Sequence, residues 1–436
     1  MPDILDQAMD AVRAPLTRPF GRVSRVEGLL IESIGPQAKV GELCEAVLDD
    51  GARRPMEVVG FREGRMILMP IGEIYGVSPG CMVYATGSSL MVDLGPGLLG
   101  RILDGFGRPI DDKGPLTGLT GRTAVNRAPP NPLTRPMIRA VLETGIRAID
   151  GLLTVGRGQR IGIFSGSGVG KSTLLGMLAR YARADVNVIA LIGERGREVR
   201  EFIERDLGPE GLRRSVVVVA TSDQAPLMRM RAAFTATSLA EYFRDHGKDV
   251  MLLMDSVTRF ARAQREVGLA VKEPPALRGF PPSVFEMLPK FLERTGTSET
   301  GSITGLYTVL IDADDMNEPI ADTVRAILDG HIVLSRDIAA RNHYPAIDVL
   351  NSISRVMSVV ASPVHKSLAG RMRKILATFR DSEDLVRIGA YVAGTDPDLD
   401  EALKAIHAVN TFLQQAVEEN EPFESTLDKM KGIFHE

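Results

Sequence analysis

Tryptophan is absent from this chain of 436 residues, cysteine occurs twice and histidine six times. Each shortage excludes something. Cys44 and Cys81 are too few for a disulfide scaffold and lack metal-ligand spacing, so both read as buried apolar thiols in a reducing compartment. The scattered histidines include no pair at helical ligand spacing, which argues against a structural zinc or iron site. No run of about 18 apolar residues occurs, and the first residues lack the basic-then-apolar profile of a secretory leader. The sequence therefore predicts a protein that is neither exported nor membrane-spanning. With a formal net charge of −4 there is no global basic field to attract nucleic acid or anionic lipid. Internal repeats and low-complexity blocks are missing as well.

What is present divides the chain into four regions, as a length beyond the reach of one core requires. Residues 1–17 carry Ile4, Leu5, Ala8, Met9 and Val12 on one helical face opposite Asp3, Asp6, Asp10 and Arg13, until Pro15 ends the pattern. A lone helix that short is marginal in water, so it either frays or docks on a partner. Residues 18–92 change to short β-rich segments, 28–34, 56–59, 65–69 and 82–85, separated by turn residues; a small β-barrel is the economical reading. Residues 93–360 open with a Gly- and Pro-loaded linker that closes on Ala128-Pro-Pro-Asn-Pro-Leu-Thr-Arg-Pro136 and is expected to wrap between domains. Apolar strands at 188–192, 215–220, 250–254 and 306–311 then alternate with helical stretches, the signature of a largely parallel sheet covered by helices. Residues 361–436 read as a charged helical domain punctuated at Gly394-Thr-Asp-Pro-Asp398.

The sharpest signal lies at 160–180. A short apolar strand, Arg160–Phe164, runs into Gly166-Ser167-Gly168-Val169-Gly170-Lys171-Ser172-Thr173 and then a helix, the order that a phosphate cradle needs. Glycines let backbone N–H groups turn inward, the helix N-terminus adds its positive end, Lys171 reaches the β- and γ-phosphates, and Ser172 can ligate Mg²⁺. Ser165 stands where the strict pattern has glycine, a small residue that leaves the loop its freedom. The apolar strand ending in Asp255 supplies a carboxylate for Mg²⁺, and the next residue is Ser256 rather than Glu, so a general base has to come from elsewhere. The run Gly193-Glu-Arg-Gly-Arg-Glu-Val-Arg-Glu201 follows directly on a strand, where parallel sheets form their ligand crevice. Such a run is ordinarily a solvated helix start. Its position makes Glu194 the candidate for polarising the attacking water and keeps Arg195 near the crevice.

Taken together, Gly158–Ser172, Gly193–Val199, Asp255-Ser-Val-Thr-Arg-Phe260, Pro281-Pro-Ser-Val-Phe285, His343-Tyr-Pro-Ala-Ile-Asp348, Gly100–Pro109 and Asp329–Arg336 closely resemble the protein-export ATPases of bacterial flagella and injectisomes. These are relatives of the ATP synthase α and β subunits. The resemblance implies a RecA-like α/β P-loop ATPase core with an N-terminal β-barrel and a C-terminal helical domain, working on ATP with Mg²⁺. It supports Glu194 as the water-orienting acid and Arg195 beside the phosphates, sets Arg259 against the γ-phosphate, and stacks Tyr344 on adenine. It also makes Arg355, in Asn351-Ser-Ile-Ser-Arg355, an arginine finger acting across a subunit interface; by sequence alone a structural salt-bridge arginine is an equal reading. Further implications are a homohexamer on the cytoplasmic side of the inner-membrane export apparatus and a stator protein bound by the N-terminal helix. A central stalk protein, chaperone–substrate complexes and an export-gate membrane protein complete the implied partners. Flagellum and injectisome stay open as alternatives. A β-type ATP synthase subunit is disfavoured by Gly196 in Gly193-Glu-Arg-Gly-Arg and by Ser172 where Thr is usual, and intact Lys171, Glu194 and Asp255 argue against a noncatalytic nucleotide sensor. A barrel without interleaved aromatic and basic residues disfavours nucleic acid.

Overall fold

The structure, a computed structural model, describes residues 19–311 and 315–434; the amphipathic segment anticipated near the N-terminus lies outside them. Six antiparallel strands close the barrel: β1 (Phe20–Glu27), β2 (Leu30–Ile34), β3 (Leu43–Val47), β4 (Arg53–Arg62), β5 (Arg65–Pro70) and β6 (Met82–Ala85), in the order β1-β2-β5-β4-β3-β6. Its interior is filled by Val23, Ile31, Cys44, Ala46, Met56, Val58, Leu68 and Val83, alternate residues of each strand as the pleat requires. Cys44 and Cys81 are both free and buried, and burial pushes the Cys44 thiol up to about 12, which leaves it inert. β2 begins at Leu30 rather than at the Gly28 expected from sequence, because Gly28 takes a positive φ of 59° and turns the chain.

The glycine-rich stretch after the barrel is more structured than a plain linker. β7 (Met91–Leu94) pairs with β9 (Gly121–Ala124), and β8 (Ile102–Leu103) joins the edge of the main sheet beside β12 (Ser215–Ala220). Arg101 holds the intervening loop through Asp111, with Nε to Oδ2 at 2.8 Å and Nη2 to Oδ1 at 2.9 Å.

The main sheet runs β17 (Ile347–Ser354), β16 (Gly330–Leu334), β10 (Arg160–Ser165), β15 (Ser302–Leu310), β13 (Asp249–Asp255), β11 (Val186–Ile192), β12, β8; β14 (Gly296–Thr297) pairs with β15 off this path. From β16 to β8 the neighbours are parallel, whereas β17 and β14 are antiparallel additions. The parallel strands are covered on both faces, so their sequences are almost continuously apolar. Period 2 then divides each strand between two cores: Val188, Ala190 and Ile192 pack with the helix Pro226–Asp245 side, Ile189 and Leu191 with the helix Lys171–Tyr181 side.

Three helices, Pro363–Arg387, Pro397–Leu413 and Phe423–Ile433, form the C-terminal part. Asp396, in the predicted punctuation, caps the second by accepting from Asp398 and Leu399 N–H groups. Buried Arg147 ties these helices to the core, donating to Phe412 O at 2.8 Å and Glu421 Oε2 at 3.0 Å, and also to Gln414 O and Glu419. Among the described residues no helix is long and apolar enough to cross a membrane.

Candidate active site

Five neighbouring strands, β16, β10, β15, β13 and β11, end at one edge of the sheet, and the loops leaving them form a single crevice. Ser165 to Gly168, Gly170 to Thr173, Glu194, Arg195, Glu198, Arg259, Leu310, Ile311 and Arg336 line it. Gly170 caps the helix Lys171–Tyr181 with a φ of 85°, a left-handed conformation that a side chain would strain. Val169 is buried in the core, which anchors the loop, while Ser167, Gly168 and Ser172 are exposed to incoming ligand. The helix N-terminus behind the loop concentrates unpaired N–H groups where phosphates would sit.

Opposite the loop, β13 delivers Asp255. Lys171 Nζ donates to its Oδ1 at 2.5 Å, and the Thr308 hydroxyl, from adjacent β15, donates to the same oxygen at 2.7 Å. Glu194 follows β11 and is 7% exposed. Arg259 grips it with Nε to Oε1 at 3.1 Å and Nη2 to Oε2 at 3.4 Å, and Lys171 Nζ lies 3.7 Å away. Burial, with the Asp255 carboxylate nearby, pushes the Glu194 carboxyl up to about 7 against the opposing pull of Lys171 and Arg259. A carboxyl poised near neutrality suits a general base at physiological pH.

Local sequence explains the placement. Ser256 is the N-cap of the helix Val257–Ala270, its hydroxyl accepting from the Arg259 backbone N–H at 3.2 Å, so the residue that departs from a Walker-type Asp-Glu pair starts the helix that carries the arginine. Gly193 has a φ of 71°, and a Cβ there would meet Arg259 Cδ at 2.8 Å; only glycine lets Glu194 and Arg259 approach this closely.

Tyr344 sits at the crevice mouth, its ring atoms 3.5 Å from where a Gly170 Cβ would lie, 42% exposed and with its carbonyl held by Gln415 N–H at 2.9 Å. Arg195 lies at the rim with its side chain 74% exposed and 3.7 Å from Glu198. Arg355 is not brought to this crevice: it follows β17, exposed, with its N–H bonded to Asp329 O at 3.0 Å. Three residues escaped sequence reasoning. Thr308 had no local signal, Glu198 lies in a charged run that has the look of a solvated helix start, and Arg336 could have been found by the rule that ligands gather at the carboxyl ends of parallel strands.

Whether Mg²⁺ fits can be judged from the donors. Magnesium keeps several waters and takes one or two hard oxygen ligands beside substrate phosphates, and the Asp255 carboxylate, in contact with Lys171, together with the exposed hydroxyl of the next residue, Ser172, is such a set.

The fold and this crevice define a P-loop ATPase of the RecA-like kind. The nucleotide-binding domain of the ATP synthase alpha/beta family matches residues 145–354, its beta-barrel domain residues 23–87, and the T3SS EscN ATPase C-terminal domain residues 361–432. The flagellum-specific ATP synthase of Bacillus subtilis is 56% identical over 416 residues, covering 95% of both chains. The type 3 secretion system ATPase of Xanthomonas euvesicatoria is 51% identical over 417 residues, 95% of this chain and 94% of that one. The assembled ATPase EscN from the enteropathogenic E. coli type III secretion system superposes with a TM-score of 0.90 at 47% identity, covering 95% of this chain and 99% of that one. A second structure, EscN with its central stalk EscO, gives 0.89 at 46%. The chain belongs to the family of flagellum-specific and type III secretion system ATPases, and it is an ATPase of protein export.

Proposed function

We propose that this chain powers a flagellar export apparatus by hydrolysing ATP with Mg²⁺, releasing and unfolding export substrates from their chaperones at the export gate. The observation that carries the chemistry is the convergence of Lys171, Glu194, Asp255 and Arg259 in one crevice beside the P-loop. Lys171 turns from Asp255 to the β- and γ-phosphates, where its charge offsets that of the departing group. Glu194, held by Arg259, orients the attacking water and takes its proton. Arg259 stays within reach of the γ-phosphate, Arg195 lies at the phosphate rim, and Tyr344 offers its ring to adenine. Ser172 and Asp255 hold the Mg²⁺, which when bound neutralises phosphate charge.

Arg355, exposed and not lining its own crevice, is the residue a homohexamer would present to the neighbouring site. The assembled EscN relative and its complex with a stalk support a ring of this chain around a central stalk protein. The apolar face of residues 4–12 is assigned to the stator protein, which would tether the ring peripherally at the inner membrane; deleting residues 1–14 should weaken that association and spare intrinsic ATPase activity. The regions 1–17, 18–92, 93–360 and 361–436 are then partner segment, barrel, linker with ATPase core, and helical domain. The flagellum-specific relatives of Bacillus subtilis and Treponema pallidum reach 56% and 55% identity, but that of Salmonella typhimurium lies at 50%, level with the 51% of the type 3 secretion relative of Xanthomonas euvesicatoria, so the flagellar reading rests on experiment. Removing the gene should abolish motility and filament-protein secretion; motile deletants that lose effector secretion would transfer the protein to the injectisome.

A further inference from the structure

Gln159 is a wholly buried amide at the foot of β10, 0% exposed, with each of its polar atoms bonded. Its Nε2 donates to Asp329 O at 3.1 Å and to the Ser354 hydroxyl at 3.0 Å, and its Oε1 accepts from Gly156 N–H at 2.8 Å. The first two partners are the mooring of Arg355: Asp329 O takes the Arg355 N–H at 3.0 Å, and Ser354 is the residue immediately before it. We propose that Gln159 is a positioning residue for Arg355, holding the arginine in the direction in which the neighbouring subunit meets it. The inference rests on Arg355 acting across the subunit interface.

An amide shut off from water is disfavoured unless it is hydrogen-bonded, so a position that only had to fill the core would be served by an apolar side chain. What the amide adds is direction, and the surrounding bonds make that direction rigid. Asp329 N–H donates to Arg160 O at 2.9 Å and Asp329 Oδ2 accepts from Arg160 N–H at 3.0 Å, so the residue whose carbonyl holds Arg355 is itself fixed to β10. The Ser354 hydroxyl donates to Thr154 O at 2.7 Å, which fixes the last residue of β17 from a second side. The guanidinium has no such hold, since Arg355 is exposed and among the described residues no carboxylate pairs with it. Its aim is therefore set by the backbone it leaves, and that backbone is tied down by Gln159. A misplacement of about 1 Å in a reacting geometry can cost roughly 10²-fold in rate.

Mixed rings of full-length chains test this, because they separate a failing finger from a failing P-loop. Gln159→Leu should lower kcat roughly 10–10²-fold with the KM for ATP little changed. It keeps its own P-loop, so mixing it with Lys171→Ala, whose Arg355 is intact, should restore activity. Mixing it with Arg355→Ala should restore none, as neither chain then offers a well-placed finger. The double variant Gln159→Leu/Arg355→Ala should be no slower than Arg355→Ala alone. Ser354→Ala, which takes away one of the two acceptors, should show the same pattern with a several-fold loss, and it decides the matter if Gln159→Leu does not fold. A general packing defect would spoil the variant's own P-loop and reverse the pattern. Rescue by Arg355→Ala, rescue by neither partner, or unchanged turnover overturns the positioning role while the reference mixture of Arg355→Ala with Lys171→Ala still recovers. No recovery in that reference mixture overturns the trans-acting Arg355 and this inference with it.

Discussion

At the scale of single residues, Glu194 answers two opposed demands. Burial and Asp255 raise its carboxyl to about 7, while Lys171 and Arg259 keep the charged form accessible. Below that pH it is protonated and, as the proposed base, could not accept the proton of an attacking water; above it the carboxylate is available. The ratio kcat/KM, which reports the free enzyme, should therefore fall about tenfold per pH unit on the acid side of a midpoint near 7. Glu194→Gln should lower kcat by about 10²–10⁴ with nucleotide affinity little changed, and near-normal turnover in that variant would remove the base assignment. Lys171→Ala differs in kind, since it takes away the charge proposed to meet the phosphates. It should lose both turnover and nucleotide affinity, and a titration with fluorescent nucleotide separates the two variants.

Between elements, buried charged hubs connect surfaces that hydrophobic pattern alone would leave unordered. Arg294, 1% exposed, bonds Glu241 of the helix Pro226–Asp245 through Nε and Nη2, each at 2.8 Å, and reaches Ser238 at 3.0 Å and Val125 O at 2.8 Å. Removing one member strands the other: Arg294→Met should cost about 3 kcal/mol, because among the described residues buried Glu241 is then left with Arg127 at 3.5 Å as its ion-pair partner. Urea unfolding reads that loss, and the double variant Arg294→Met/Glu241→Leu should recover much of it. A cost under about 0.5 kcal/mol for the single variant would show the pair to be dispensable. Arg231 plays a similar part between the helix Pro226–Asp245 and the barrel, donating to Glu57 of β4, with Nε to Oε2 at 2.7 Å.

For the molecule as a whole, the open question is how many copies one active site needs. Arg355 lies outside its own crevice, so each homogeneous variant, Arg355→Ala or Lys171→Ala, should be inactive. A mixed ring can pair the intact P-loop of one variant with the intact Arg355 of the other. Partial recovery on mixing is the expected outcome, below the wild-type rate since only some interfaces are complete; a finger in trans is worth roughly 10³–10⁵ in comparable enzymes. No recovery, with subunit exchange shown independently, would return Arg355 to a structural role. Specific activity of the wild-type chain should likewise rise with protein concentration, and a rate independent of concentration, with rings seen by light scattering, would count against a shared site.

The sequence by itself determined the order of elements and the identity of the phosphate loop. Both are local: glycine conformational freedom, an apolar strand, a helix start and period-2 burial are written in consecutive residues, and β6, β12 and the P-loop helix appear where those patterns lie. The candidates Lys171, Glu194, Asp255, Arg259 and Tyr344 were legible too, partly by motif and partly by resemblance. Tertiary structure alone decided that they share one crevice, since that depends on β10, β15, β13 and β11 being neighbours although their chain order is different. It also decided the partners of each charge: Thr308 on Asp255, Arg259 on Glu194, and Arg147 fastening the C-terminal helices. Such contacts join residues far apart in the chain, and no periodicity encodes them, because hydrogen bonds between strands and helices follow from packing rather than from spacing.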